Sequence, residues 1–135
     1  MGIKKGEQRI IKPCTNCFAP QYVKFNLSYA KSDKNFETKY KAQLLDRMIF
    51  LSSEPYVTVL NWDKCKGFEF EEIKTNKSVP KEFEERFQSK EYNNKFAIMR
   101  LYPNNNPICA RIVGAIIRNI FYIFFIDTKN KLYKH

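Results

Sequence analysis

Histidine is almost missing from this chain: the only one is His135. With no imidazole elsewhere, a Ser–His–Asp arrangement or a His-completed zinc site has nothing to be built from. Cysteine is scarce too, at positions 14, 17, 65 and 109. Only Cys14 and Cys17 are close enough to offer two thiolates to zinc, and no second pair or histidine motif completes the set. The expectation is therefore no metal and no cofactor, with Cys65 and Cys109 as small buried apolar residues. The four glycines form neither a phosphate-cradling loop nor a G-x-S-x-G elbow, nor the GXXG loop of an RNA-binding module. No run approaches the ~20 apolar residues of a membrane-spanning helix, and the start, MGIKKGEQRIIKP, has no apolar signal core. These absences point to a cytoplasmic protein without a membrane partner.

What is present is charge and aromatic mass. The 135 residues hold 24 basic against 14 acidic side chains, a net charge of +10, and 16% are aromatic. An excess of that size favours polyanionic partners, nucleic acid being the commonest. Glu71-Glu72 and Glu84-Glu85 are adjacent pairs, so their side chains diverge on a strand or helix and do not form a two-carboxylate site.

The stretch 108–133 organises the rest. Ile120 to Ile126 is seven apolar residues, all β-branched or aromatic, which suits a buried strand. A tight turn at Arg118-Asn119, with Asn119 accepting the left-handed backbone, pairs it with residues 111–117. Setting Ile117 against Ile120 places Ala115 opposite Tyr122, Val113 opposite Phe124 and Arg111 opposite Ile126. Gly114 falls where the aromatic run needs room. Lys95–Tyr102 reads as the preceding strand, separated by the turn Pro103–Pro107.

Upstream, residues 1–21 form a basic arm and 22–135 a single domain. Tyr22–Ala30 alternates as a half-buried strand, with Val23, Phe25, Leu27 and Tyr29 on one face. Asn35–Ser52 is the clearest helix, with an apolar stripe of Phe36, Tyr40, Leu44, Leu45, Met48 and Ile49. Ser52–Pro55 ends it; in Tyr56–Asp63 the propensity of Val57, Thr58 and Val59 favours strand and the capping signal with the Val57–Leu60 spacing favours a short helix, the reading taken, with Trp62 in the core beneath. Gly67–Ile73 alternates again, and Pro80 opens a helix to about Lys90 in an acidic insert. The sum is an α+β domain: an antiparallel sheet with a C-terminal β-meander packed against two or three helices. The Ile120–Ile126 strand needs cover on both faces, from helices on one side and from the arm, the acidic insert or a partner on the other.

The order of elements, with R-L-Y at 100–102, A-R-I-V-G at 110–114, I-F-Y-I-F-F-I-D at 120–127 and L-Y at 132–133, resembles the RelE/ParE-like family of small toxins. The resemblance covers about residues 22–53 and 94–133. It implies a metal-independent endoribonuclease that cuts messenger RNA in the ribosome, held in check by an acidic antitoxin. Carried onto this chain, Arg100, Arg111 and Arg118 would steady the crowded phosphate, and Tyr133 with Lys129 or Lys131 would move protons. The ParE branch acts on a host protein instead. The alternative is a non-enzymatic phage or plasmid accessory protein that binds a host protein or nucleic acid through the Ile120–Ile126 face. Arg111 then serves as an ion-pair residue, and Tyr102 and Tyr122 as cross-strand packing.

Overall fold

A computed structural model describes residues 19–30, 38–74 and 78–128. Five strands form one open sheet: β1 (Lys24–Asn26), β2 (Phe68–Glu72), β3 (Lys95–Arg100), β4 (Arg111–Ile117) and β5 (Ile120–Asp127), in the order β1-β5-β4-β3-β2. Three helices accompany them: α1 (Thr38–Leu51), α2 (Tyr56–Leu60) and α3 (Lys81–Arg86), followed by a 3-10 turn at Ser89–Tyr92. The architecture is α+β, as the residue pattern implies. The meander β3-β4-β5 is antiparallel throughout, and β2 extends it antiparallel on the far side. β1 departs from the expected all-antiparallel sheet, since it runs parallel to β5.

The terminal hairpin keeps the expected register only for its first half. Ile117 pairs with Ile120 and Ala115 with Tyr122, but Val113 pairs with Phe125 and Arg111 with Asp127. Phe124 is the unmatched residue of a bulge at the Val113/Gly114 step. The cause lies at Gly114, where a Cβ would collide with the Tyr122 carbonyl oxygen and stand 2.8 Å from the Phe121 ring. The bare glycine lets β5 close in, and the extra residue re-aims the end of the strand.

Both faces of this hairpin are covered. On one, Phe121, Ile123, Ile112, Met99 and Phe68 meet Tyr40, Leu44 and Leu51 of α1 and Val59 of α2. On the other, Tyr122, Phe124, Ala115 and Ile117 meet Phe83 and Tyr92 of the acidic insert. Phe83 has no exposed surface. Its ring stands 5.3 Å from Tyr29, 4.9 Å from Phe87, 5.3 Å from Tyr92, 5.4 Å from Tyr122 and 4.8 Å from Phe124. The Ile120–Ile126 strand is thus closed by its own chain, so it is not the docking face expected of an accessory protein.

Three helical expectations need correction. The inward side of α1 carries Tyr40, Leu44, Arg47 and Leu51, while Leu45 and Ile49 are exposed. Phe36 lies outside the described residues. The expected stripe leans toward Leu45, whereas the 4-3-4 spacing 40–44–47–51 is the one that faces the sheet, and it includes an arginine. α3 ends early because Phe87 is extended (φ −126°, ψ 137°), which swings Phe87 and Tyr92 toward Phe83. Trp62 is only half-buried, with its ring 5.0 Å from Phe50 at the surface.

The first strand is also shorter than its alternation suggests. Asn26 Oδ1 accepts the Ser28 N–H at 2.8 Å, a local turn that ends β1. Val23 and Phe25 stay on the α1 side, Leu27 is exposed, and Tyr29 packs on the opposite side against Phe83. Cys65 and Cys109 are half-buried cysteines, in no disulfide among the described residues, rather than core residues.

Candidate functional site

The three candidate arginines do not share a surface. Arg100 and Arg111 are direct cross-strand neighbours on β3 and β4, and Asp127 stands opposite Arg111 on β5. Arg118 is at the other end of β4, seven residues away, or roughly 24 Å along a strand that rises about 3.4 Å per residue. The single positive patch expected of them does not form. Lys129, Lys131 and Tyr133 lie outside the described residues, as do Cys14 and Cys17.

Arg100 and Arg111 are taken up by local structure. Arg111 is 2% exposed and donates from Nη1 to Asn105 Oδ1 at 2.8 Å. Arg100 is half-buried and donates from Nη1 to the Pro103 carbonyl at 2.9 Å. Both guanidiniums thus hold the 101–110 loop against the sheet end. Each keeps a buried Nε without a hydrogen-bond partner. A phosphate reaching either would have to displace the groups that bury it.

A third arginine in this region was not singled out from sequence. Arg47 of α1 is 3% exposed and donates from Nε to the Arg100 carbonyl and from Nη2 to the Lys66 carbonyl, both at 2.8 Å. Burial pushes its guanidinium down to about 10, which still leaves it charged at neutral pH. Its role is structural, a clamp between α1, β3 and the loop before β2. The 40–44–47–51 spacing was the signal that could have found it.

Arg118 has a different setting. It takes the left-handed backbone of the hairpin turn (φ 61°), the role expected of Asn119. Asn119 instead donates from Nδ2 to the Tyr22 carbonyl at 2.7 Å, and its own carbonyl accepts the Lys24 N–H at 2.9 Å. This fastens the lead-in 19–22, the end of the expected basic arm, to the hairpin tip. On the other side the Gln21 carbonyl accepts the Tyr56 N–H at 2.7 Å, and Tyr22 bridges to Pro55.

Between these three pieces lies a cleft of about 570 Å³ with Ala19, Pro20, Pro55, Tyr56 and Val57 in its walls and Arg118 as the one charged residue among its described lining. Burial raises the Tyr56 hydroxyl above its ordinary value of 10. Arg118 is exposed, with no hydrogen bond or ion pair among the described residues. Exposed Lys24 and Tyr22 flank the cleft in sequence and through the Asn119 contacts. The volume falls in the range of small-ligand sites, which are mostly apolar with a few oriented polar groups.

No family model, curated protein or solved structure matches the chain. The site is therefore read from its own chemistry. Among the described residues no three His, Cys, Asp or Glu side chains gather into a metal-binding group. No described helix is long and apolar enough to cross a membrane. The positive charge is unevenly spread: the 100 described residues hold 14 basic and 11 acidic residues, and the remaining segments hold 10 basic and 3 acidic. Residues 1–18, which precede the cleft wall in sequence, contribute four basic and one acidic.

Proposed function

We propose that this protein is a small accessory factor that binds single-stranded RNA at the hairpin-tip cleft, without breaking a bond. The observation that carries the reading is the pairing of an exposed guanidinium, Arg118, which has no partner among the described residues, with an apolar cleft containing an aromatic wall, Tyr56. Single strands are held this way, with cations along the backbone and bases set against apolar or aromatic surfaces, each stacked base worth about 1–3 kcal/mol. Lys24 and the net charge of +10 add the long-range attraction. The test is fluorescence anisotropy with a labelled single-stranded RNA across a salt series. R118A and K24A should each weaken binding several-fold and lower the salt slope by about 0.7, one phosphate contact on a single strand. Wild-type affinity and slope in both variants would refute the assignment.

RelE-type cleavage of messenger RNA is the second reading. What favours it is the adjacency of Arg100 and Arg111 at the hairpin end that leads in sequence to Lys129, Lys131 and Tyr133. It requires buried Arg111 to reach RNA. Induced expression separates the two: growth arrest with cut messenger, lost in folded R111A, supports cleavage, whereas intact messenger supports binding alone.

A further inference from the structure

Residues 19–22 make up the wall of the cleft that the fold holds least. All four are exposed, Tyr22 at 45%. Two of their carbonyls tie them down: Gln21 accepts the Tyr56 N–H and Tyr22 accepts Asn119 Nδ2, both at 2.7 Å. Among the described residues they have no other hydrogen bond or ion pair, and Pro20 has no N–H to give. The next residue is the reverse. Val23 is 3% exposed in the core, and Phe25 sets its ring 6.0 Å from Phe121. Lys24 donates its N–H to the Asn119 carbonyl, where the pairing with β5 begins. Anchorage thus passes from surface hydrogen bonds to buried packing at Val23.

The other two walls stand without this segment. The Pro55 carbonyl accepts the N–H groups of Thr58 and Val59 at 2.9 and 3.1 Å, Val59 is fully buried, and Tyr56 packs on the same core cluster. The hairpin tip is held by buried Ile117 and the β4–β5 ladder. Segments with few buried contacts and exposed hydrogen bonds open locally at a fraction of the global unfolding free energy. We propose that residues 19–22 are a strap that swings about Val23, releasing Tyr56 and Asn119 to open the cleft and closing again over what it holds. At about 3.3 Å per residue the strap is roughly 13 Å long, so a turn of about 30° moves its far end by roughly 7 Å. The use of that motion rests on the single-stranded RNA reading. A strand with long flanks cannot thread a cleft end-on, and enters sideways while the strap is open. A base set against Pro20 and Tyr56, which both line the cleft, then shifts the equilibrium toward the closed form.

Amide hydrogen exchange of the full chain without RNA, followed residue by residue by NMR, tests the strap. Tyr56 should exchange about tenfold or more faster than the amides of β4, and Lys24, beyond the pivot, should stay slower than Tyr56. N119A removes the Tyr22 contact and should speed Tyr56 exchange about three- to tenfold, the worth of one hydrogen bond. Lys24, Thr58 and Val59 should keep their rates, which also shows that the variant is folded. Saturating single-stranded RNA should slow Tyr56 exchange about threefold or more, and in stopped flow N119A should raise the association and dissociation rate constants together. Tyr56 as slow as β4, indifference to N119A, or equal acceleration at Lys24, Thr58 and Val59 overturns the strap whether or not RNA binds. Bound RNA that leaves Tyr56 exchange unchanged overturns its closing. The expected exchange pattern in a protein that binds no RNA upholds the strap and removes the RNA reading instead.

Discussion

Phe83→Ala is the most severe test of how the molecule is held together. Truncating a buried phenylalanine costs about 3–5 kcal/mol, the higher end applying where the surroundings cannot collapse into the space. Here the surroundings are five rings: Tyr29 after β1, Tyr122 and Phe124 on β5, Phe87 after α3 and Tyr92 in the 3-10 turn. Elements tied at that many points cannot all move inward, and the lost ring pairs, each worth about 0.5–1.5 kcal/mol beyond area burial, put the cost at the upper end of that range without adding to it. A loss of about 4–5 kcal/mol follows, a large part of the 5–15 kcal/mol that holds a domain of this kind folded. In urea, with a slope of about 2 kcal/mol/M, the midpoint should fall by about 2 M. Phe83→Leu, which keeps most of the volume but none of the ring pairs, should cost clearly less than the alanine variant in the same assay. A midpoint shift below about 0.5 M for the alanine variant at unchanged slope would mean that the acidic insert is an appendage and not the second wall of the core.

Other outcomes can be checked beside it. Gly114→Ala forces a Cβ into the Tyr122 carbonyl and toward the Phe121 ring; a loss of about 2–3 kcal/mol, typical of overpacking, should appear in the same urea assay. Arg47→Ala leaves the Arg100 and Lys66 carbonyls without their charged donor, and should cost about 3 kcal/mol, given about 1.5–3 for each charge-assisted bond and partial recovery by water. Burial raises the hydroxyls of Tyr56 and Tyr92 above their ordinary 10. Their contribution to stability is complete below pH 10 and is lost as pH rises through the folded values. Replacing both with phenylalanine should flatten the alkaline fall in thermal midpoint, and an unchanged slope would contradict the burial argument.

The parts of this fold that could be read from residues alone were those set by local pattern. The meander follows from β-branched and aromatic runs separated by Pro103–Pro107 and Arg118–Asn119, and α1 from a periodic stripe. The misreadings came where a distant contact decided. The register of β4 against β5 shifts at Phe124 because Gly114 admits the neighbouring backbone, which alternation within either strand does not encode. Arg118 takes the left-handed turn because Asn119 is engaged with Tyr22, nearly a hundred positions upstream. Arg47 is held inside by two main-chain carbonyls, of Arg100 and Lys66, which lie far from it in the chain. Of the candidate site, Arg118 was identifiable by type and turn position. Its separation from Arg111 followed only from their standing at opposite ends of β4. The cleft beside it was not visible at all, because its walls come from three remote segments.

The parallel pairing of β1 with β5 sets the order in which the molecule can be completed during synthesis. Lys24 needs Ile120 as its partner, so the first described strand along the chain is the last able to dock. Until then Val23 and Phe25 have no sheet to cover them, and an incomplete chain carries the transiently exposed apolar surface that favours aggregation. The cleft, which needs Ala19, Pro55 and Arg118 together, comes into being at that same final step. A truncated product ending before β5 would carry every basic residue up to Arg118 and still lack a closed cleft beside it.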